Sequence, residues 1–239
     1  MKTYLSFGGG VNSVAMYLHC LDIGMKFEAI YVDHGGDWPE TAEYLEYFTG
    51  RGYPVTVIKP EVHYTGATYN DLYHYCIDKG VVPSVRSRWC TRDFKVRPIM
   101  EHIEKPCFML IGIDAGEEHR ARLATTAGVE NRWPLIEAGI DRDGCKRLIE
   151  RHGLEIPQKS GCFFCPFQRV GQWRKLRRKH PDLFCKVQKI ERAVAEKQRR
   201  RGKKPYYIRG DGPIEQLIND KQLALPGTDA GYPPCNCGL

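Results

Sequence analysis

The chain has 239 residues with a formal net charge of +7, and 27% of its residues are charged. This length suits one α/β domain of ordinary size with a smaller appendage. The sequence contains no internal repeat, low-complexity linker, signal peptide or run of about 18 apolar residues, which excludes repeat architectures and membrane spans and leads us to expect a cytoplasmic protein.

Hydrophobic periodicity predicts that strands and helices alternate through the first half of the chain. The predicted strands cover 3–7, 27–32, 54–58 and 107–113, and the predicted helices cover 13–23, 39–51, 68–79 and 93–104. This alternation predicts an α/β fold with a mostly parallel, doubly wound sheet and helices on both faces. We expect this domain over residues 1–155 and a small helical, cysteine-containing appendage over residues 156–239.

Three consecutive glycines separate the first predicted strand from the first predicted helix. Gly8, Gly9 and Gly10 stand just before the helix N-terminus, and Ser13 follows three residues later. Free backbone N–H groups and the helix dipole favour an anion there, most often a phosphate, although a tight turn with one or two glycines is the alternative. The loop is neither a Walker loop nor a Rossmann fingerprint, because both of those spacings are absent.

The segment GGGVNS resembles the S-G-G-x-D-S pyrophosphate loop (PP-loop) of ATP pyrophosphatases and phosphoadenosine phosphosulfate (PAPS) reductases. Gly9, Gly10 and Ser13 match that pattern, whereas Gly8 replaces its serine and Asn12 replaces its aspartate. Asn12 keeps the hydrogen-bonding reach of an aspartate but lacks the charge that would order a metal ion. Mg²⁺ is therefore only a candidate second cofactor beside the nucleotide.

Two further segments fit the same superfamily, in the same order along the chain. DHGGDWPETAEYLEYF resembles D-T-G-x-x-F-P-E-T, with matches at Asp33, Gly35, Pro39, Glu40 and Thr41. RSRWCTRDFKVRPIME resembles R-x-C-C-x-x-x-K-x-x-P, with matches at Arg88, Cys90, Lys95 and Pro98. The resemblance implies an adenine nucleotide alpha-hydrolase-like fold that binds ATP, PAPS or adenosine phosphosulfate (APS), which makes residues 1–155 a nucleotide-binding domain.

The candidate nucleotide site combines this loop with side chains at the carboxyl ends of the strands. Asp33 ends the second strand about 20 residues after the loop, where an acid can reach a ribose hydroxyl. Asp114, Glu117, His119 and Arg120 either face the same crevice or form a solvated helix face. The candidate cofactor-binding residues are Ser6, Gly8, Gly9, Gly10, Ser13, Asp33, Arg88 and Asp114, and the candidate catalytic residues are Asn12, Ser13, Lys95 and Cys237.

Cysteine spacing separates core thiols from candidate ligands. Cys20, Cys76 and Cys107 fall within or beside apolar patterns and are expected to be core thiols, since a reducing cytosol argues against a disulfide framework. Cys162 and Cys165 form a Cys-x-x-Cys pair between Gly161 and Pro166. Alone, such a pair is consistent with a redox dithiol, half of a zinc site or half of an iron–sulfur site.

The resemblance also implies a metal centre. In the APS reductases that this chain resembles, a Cys-Cys pair and a later Cys-x-x-Cys pair hold a 4Fe–4S cluster, and similar sulfur-transferring relatives hold one with three cysteines. Trp89 replaces the first cysteine here, so the implied ligands are Cys90, Cys162 and Cys165, with Cys235 of the tail as a fourth. Structural zinc and no metal are the alternatives. The Cys-Gly-Leu ending resembles the reductase tail whose cysteine is the nucleophile, which makes Cys237 the corresponding candidate.

Positive charge is concentrated in residues 166–204, which carry 15 Lys or Arg against three acids and are predicted to form two helices broken at Pro181. That segment has a net charge of +12, and the rest of the chain has −5. Phe184, Val187, Ile190 and Val194 give the second helix an apolar stripe. Such clustering indicates a polyanion partner, with a solvated basic face as the alternative. Arg174, Arg177 and Arg178 are the candidate nucleic-acid contacts.

Two enzyme classes and one binding module follow from these observations. The first is an ATP-dependent sulfurtransferase that forms AMP and pyrophosphate and thiolates a nucleic acid, with a separate sulfur donor. The second is a PAPS or APS reductase that uses Cys237 and a thiol reductant. The third is a nucleotide-binding module without catalysis, which the departures at Gly8 and Asn12 leave open.

Overall fold

The computed structural model describes residues 1–124, 126–210 and 212–219 and shows an α/β fold. Its strands are β1 (Lys2–Ser6), β2 (Glu28–Val32), β3 (Thr56–Ile58), β4 (Val62–Tyr64), β5 (Ala67–Tyr69), β6 (Cys107–Leu110) and β7 (Val129–Arg132). Five of them form a parallel sheet in the order β3-β2-β1-β6-β7, and β4 and β5 form a separate antiparallel hairpin. The α/β class and the parallel sheet are confirmed.

The described residues form ten α-helices. These are α1 (Val11–Asp22), α2 (Pro39–Gly50), α3 (Leu72–Lys79), α4 (Trp89–Thr91), α5 (Arg97–His102), α6 (Pro134–Glu137), α7 (Arg142–Arg151), α8 (Val170–Lys179), α9 (Pro181–Arg200) and α10 (Ile214–Asn219). A π-helical turn, Arg92–Val96, joins α4 to α5, and a 3₁₀ helix covers Ala115–Arg120. No helix of the described ranges combines the length and the apolar character needed to cross a membrane.

Helices cover both faces of the five-stranded sheet. Leu5 and Leu110 belong to one core, together with residues of α1, α2 and α7. Tyr4 and Met109 belong to a second core, which includes Ile99 of α5. Neighbouring strand residues enter different cores because successive side chains of a strand point to opposite faces.

The order of the strands reverses between β1 and β6. This reversal marks where a ligand-binding crevice is expected at the edge of the sheet. Leu5 lies opposite Ala29 of β2 and Leu110 of β6, so the carboxyl ends of the three strands meet at one edge. In open parallel sheets, ligands bind outside the carboxyl ends of the strands at such a reversal of order. The glycine loop, Gly8–Gly10, lies there, since it directly follows β1 and Phe7.

A third core joins the C-terminal region to the middle of the chain. It contains Trp173 of α8 and residues of α9, together with Leu72 and Cys76 of α3 and Phe94. The break at Pro181 and the burial of the apolar stripe of α9 are both confirmed. Cys20, Cys76 and Cys107 are buried core thiols, also as predicted.

Three predicted boundaries are wrong. The fourth strand ends at Leu110 rather than at residue 113, because Gly112 packs against the first turn of α1. The third helix begins at Leu72 rather than at 68, because Asp71 caps it by accepting a hydrogen bond from the His74 N–H and residues 67–69 pair in the hairpin. The predicted helix 93–104 is divided by the π-helical turn. The short, polar strand β7 was not predicted.

Candidate nucleotide site and cysteine cluster

The three glycines of the loop differ in what a side chain at each position would contact. Gly9 has a φ of +66°, and a Cβ atom there would stand 3.0 Å from Thr41 Cγ2. A Cβ atom on Gly10 would stand 2.6 Å from the hydroxyl oxygen of Ser160. Gly8 has open space around the position of its missing Cβ and lines a cleft. Protein contacts therefore explain Gly9 and Gly10, whereas Gly8 leaves room for a ligand.

The candidate catalytic residues at the start of α1 are held in the loop itself. Ser13 is buried; its hydroxyl donates a hydrogen bond to the Gly10 carbonyl at 2.9 Å and accepts one from the Gly10 N–H at 3.1 Å. Asn12 donates through Nδ2 to Asp114 Oδ2 at 2.9 Å, and its Oδ1 accepts a hydrogen bond from Arg142 Nη1 at 2.6 Å. Both side chains thus fix the shape of the loop at the helix N-terminus.

The polar residues after β6 make two kinds of contact: one with the start of α1, and the others within their own segment. Asp114 is 3% exposed and faces the loop through Asn12. Glu117 and Arg120 pair with each other, and His119 accepts a hydrogen bond from Arg122 through its carbonyl oxygen. Within this cluster, Asp114 is the residue that contacts Asn12 at the start of α1.

A cleft opens beside the loop, between the carboxyl ends of β1 and β2. Its lining consists of Ser6, Phe7, Gly8, Ile30, Tyr31, Val32, Asp37, Lys95, Val96 and Ile99. Apolar residues with a few polar groups among them are typical of small-ligand sites. Asp33, by contrast, lies outside the cleft lining; it accepts a hydrogen bond from the Gly35 N–H and lies 3.9 Å from Lys59 Nζ.

The polar end of the cleft is a buried charge cluster. The Tyr31 hydroxyl donates to Asp37 at 2.6 Å, and His34 Nε2, which has no hydrogen-bond partner among the described residues, lies 3.4 Å from the other Asp37 oxygen. Burial lowers the pKa of His34, so we assign it as the neutral imidazole with its proton on Nε2, since Nδ1 accepts from the Gly36 N–H. Burial opposes ionisation of Asp37, but the Lys95 ammonium and the hydrogen bond from the Tyr31 hydroxyl hold its pKa below the usual range.

The Cys-x-x-Cys segment is attached to this cluster through its backbone. Cys162 pairs with Asp37 in an isolated bridge, and the Phe163 N–H donates to the Gly36 carbonyl at 2.8 Å. Burial raises the pKa of Cys162 well above its ordinary value and that of Cys165 to about 11. The nearby Lys95 ammonium opposes both rises, as it also does for Cys90.

Cys90, Cys162 and Cys165 belong to one packed cluster. The described residues nevertheless include no group of three or more His, Cys, Asp or Glu side chains positioned to hold a metal ion. Cys235 and Cys237 lie outside the described residues. The metal set thus stays a prediction.

Strained backbone surrounds Cys90. Arg88 has a φ of +47°, a conformation that side chains other than glycine rarely adopt, and it precedes α4. The π-helical turn that follows carries Lys95. Strained residues and π-helical turns are frequent at functional sites. Both features lie within eight residues of one another.

The predicted site omitted the cations contributed by the second half of the chain. Arg142 contacts Asn12, and Lys159 immediately precedes Ser160, which contacts Gly10. Burial lowers the pKa of Lys159, and the positive charges of Arg169 and Arg142 lower it further. The negative charge of Glu117 acts in the opposite direction. No local motif marks Arg142 or Ser160, because the loop residues that they approach are more than 100 positions away.

The three candidate nucleic-acid contacts have different environments. Arg174 Nε donates to the Ile218 carbonyl at 3.1 Å, and Arg177 Nη1 donates to Asn219 Oδ1 at 2.9 Å. These two arginines therefore hold α10 against α8. Arg178 is exposed on the same helix. Among the three, Arg178 is the one whose side chain remains available to a partner.

No protein-family model matches the chain. The chain is 22% identical over 214 residues to an uncharacterized protein of Methanocaldococcus jannaschii, in an alignment that covers 81% of the chain and 42% of that protein. It is 21% identical over 257 residues to an uncharacterized 37.8 kDa protein of Escherichia phage 186, covering 82% and 76%, respectively. A second uncharacterized M. jannaschii protein is 19% identical over 199 residues, covering 76% and 45%. The chain thus spans less than half the length of the two M. jannaschii relatives.

Proposed function

We propose that the chain is a PP-loop enzyme that converts ATP to AMP and pyrophosphate and transfers sulfur to a nucleic acid. One observation carries the proposal. The segment that contains Cys162 and Cys165 contacts the glycine loop at Gly10, through Ser160, and the loop after β2 at Gly36. This arrangement supports a reaction in which cysteine chemistry takes place beside a bound nucleotide.

The loop and the neighbouring cations suit the phosphate chain of ATP. N–H groups in the first turn of α1 lack intrahelical acceptors and favour an anion, and Arg142 and Lys159 add positive charge at the same place. Cations beside a departing pyrophosphate stabilise the charge that develops on it. An oxygen of the nucleic acid attacks the α-phosphorus, pyrophosphate leaves, and the oxygen becomes adenylated.

Sulfide then attacks the nucleic-acid carbon that bears the adenylated oxygen, a carbon–sulfur bond forms, and AMP leaves with that oxygen. Cys90, Cys162 and Cys165 are the thiols that would hold the carrier of the sulfide, and Lys95 favours their thiolate forms. A 4Fe–4S cluster, if the thiols close around one with Cys235, would supply an iron that carries sulfide. Zinc would supply a structural link instead.

The basic face of α8 and α9 supports a nucleic-acid substrate. A sulfonucleotide does not need 15 cations, whereas a nucleic-acid backbone uses many of them. Arg178, Lys179, Lys189 and Arg199 are all exposed on these two helices. The reductase hypothesis accounts for the thiols but not for this face.

The test incubates the anaerobically purified chain and a sulfide donor with ATP labelled at the α-phosphorus, with and without DNA or RNA. We expect AMP release that depends on the nucleic acid and on the sulfide donor and that is reduced in Gly8→Ala. Cys162→Ser should still release pyrophosphate and adenylate the nucleic acid, so the label stays on the nucleic acid, but it should release no AMP and incorporate no sulfur. Sulfite release from PAPS or APS, eliminated by Cys237→Ser, would overturn the proposal in favour of a reductase.

A further inference from the structure

Two exposed aromatic rings lie on the side of the molecule formed by the β4–β5 hairpin and the end of α9. Among the Phe, Trp and Tyr residues of the described ranges, Tyr64, at 50%, and Tyr206, at 41%, are the exposed ones. Tyr64 ends β4, and Tyr206 follows α9 by six residues. A tyrosine ring presents an apolar face and a polar tip, a combination that suits it to binding interfaces.

Cations lie beside Tyr64 and close to Tyr206 along the chain. Lys79 Nζ is 5.1 Å from the centroid of Tyr64, and the Lys197 ammonium donates a hydrogen bond to the Lys79 carbonyl. Arg201 directly follows α9 and stands between Lys197 and Tyr206 in the sequence. Its charge adds to burial in lowering the pKa of Lys197 and opposes the rise that burial causes in the pKa of Tyr206. Lys79, Lys197 and Arg201 are therefore a row of cations that begins at Tyr64 and, along the chain, precedes Tyr206.

The charge of this row is only partly neutralised. Lys79 forms an ion pair with Asp78, with 3.1 Å between Nζ and Oδ2. Lys197 and Arg201 have no carboxylate partner within the described part of the chain, and the exposed residues Lys203 and Lys204 follow them. Attraction for an anion thus remains on this surface.

The hairpin holds Tyr64 in place before any ligand binds. Thr65, at the tip, has a φ of +46°, which is unfavourable for a β-branched residue. Lys79 Nζ donates to Thr65 Oγ1 at 3.2 Å, and the Tyr64 ring contacts Tyr75 edge to face at a centroid distance of 6.2 Å. A ring fixed in this way loses little conformational freedom on binding.

We infer that Tyr64, Lys79, Lys197, Arg201 and Tyr206 form a binding surface for single-stranded nucleic acid. Aromatic rings stack with bases and cations follow the phosphates in proteins that bind single strands, whereas a duplex hides the faces of its bases. The inference rests on the proposed nucleic-acid substrate and narrows it to an unpaired strand.

The test measures fluorescence anisotropy of a fluorescein-labelled 12-nucleotide DNA of mixed sequence, single-stranded or annealed to its complement, with the full chain. We expect Tyr64→Ala and Tyr206→Ala to weaken single-strand binding roughly tenfold each and duplex binding less than about twofold. Tyr64→Phe keeps the ring and should bind as the wild type does. Arg201→Gln should reduce the slope of log K against log salt by about 0.7 for the single strand.

Lys26→Gln is the matched control, because Lys26 is an exposed cation just before the amino end of β2, whereas the hairpin follows the carboxyl end of the neighbouring parallel strand β3. It should leave single-strand affinity unchanged. Tyrosine variants that bind both probes like the wild type, or that weaken both equally, would overturn the inference, as would a wild-type chain that binds neither probe. AMP formation is measured separately, so a chain that binds single strands without consuming ATP refutes the proposed reaction and leaves this surface intact.

Discussion

The hydroxyl oxygen of Ser160 lies 2.6 Å from the point that a Cβ atom on Gly10 would occupy. This contact joins the segment with the two cysteines to the loop that begins α1. Because Ser160 is two residues from Cys162, any shift of the loop is transmitted to the thiols. The loop is thus the point at which nucleotide binding and cysteine chemistry can be tested together.

Alanine substitution at Gly8 and at Gly9 should separate folding from ligand binding. Gly9→Ala forces a side chain into a positive φ and should cost about 1–2 kcal/mol of unfolding free energy. Gly8→Ala meets open space, so it should leave stability unchanged yet weaken ATP binding, because its methyl group would occupy ligand space. Urea unfolding and calorimetric titration with ATP measure the two effects. Unchanged ATP affinity in Gly8→Ala would show that no ligand approaches this face of the loop.

The hydrogen bond between Asn12 and Asp114 predicts that a second negative charge at the loop lowers the free energy of unfolding. Asn12→Asp places a second carboxylate against the buried Asp114 and removes the amide donor, which should cost about 1–3 kcal/mol at pH 7.5. The exchange Asn12→Asp with Asp114→Asn restores one amide-to-carboxylate hydrogen bond and should recover most of the loss. Denaturant unfolding of the single and double variants measures this coupling. Additive losses in the double variant would contradict it.

The sequence predicts those parts of the site that rest on local pattern. Three glycines between an apolar strand and an amphipathic helix locate the loop, because both periodicities are strong there. The contacts of Gly10 with Ser160 and of Asn12 with Arg142 join residues more than 100 positions apart and leave no local trace. Arg174 and Arg177 illustrate the same limit, since charge alone does not reveal that they hold the end of α10.

Glu191 predicts a pH dependence of stability. Its carboxylate accepts a hydrogen bond from the Ile214 N–H at 3.0 Å, and burial raises its pKa from the ordinary 4.5 to about 7. The folded state therefore binds the proton more tightly, so the stabilisation is complete below about pH 4.5 and is lost as the pH rises through 7. Relative to Glu191→Gln, the wild type should lose about 3 kcal/mol of unfolding free energy over that window. Glu196→Gln, on the exposed face of α9, is the control; equal pH slopes in wild type and Glu191→Gln would contradict the prediction.

The prediction of a metal site is tested by the iron content and the visible absorption of the purified protein. Cys90→Ser, Cys162→Ser and Cys165→Ser should each remove the iron and the visible absorption of anaerobically purified protein, because thiolates are the expected cluster ligands. Cys185→Ser, an exposed thiol of α9, should leave both unchanged. Elemental analysis that finds zinc without iron would instead indicate a structural zinc site.

Substitutions at Arg178 and Arg174 distinguish an arginine that contacts nucleic acid from one that stabilises the fold, because both lie on α8. Arg178 is exposed, so Arg178→Glu should leave the unfolding free energy unchanged while weakening nucleic-acid binding. If one phosphate contact is lost, the slope of log K against log salt should fall by roughly 0.9 for a duplex or 0.7 for a single strand. Arg174→Gln should instead destabilise the chain, because it removes the hydrogen bond to the Ile218 carbonyl that holds α10. Binding that is insensitive to Arg178→Glu and falls only with the loss of stability in Arg174→Gln would place the nucleic-acid contacts elsewhere than on α8.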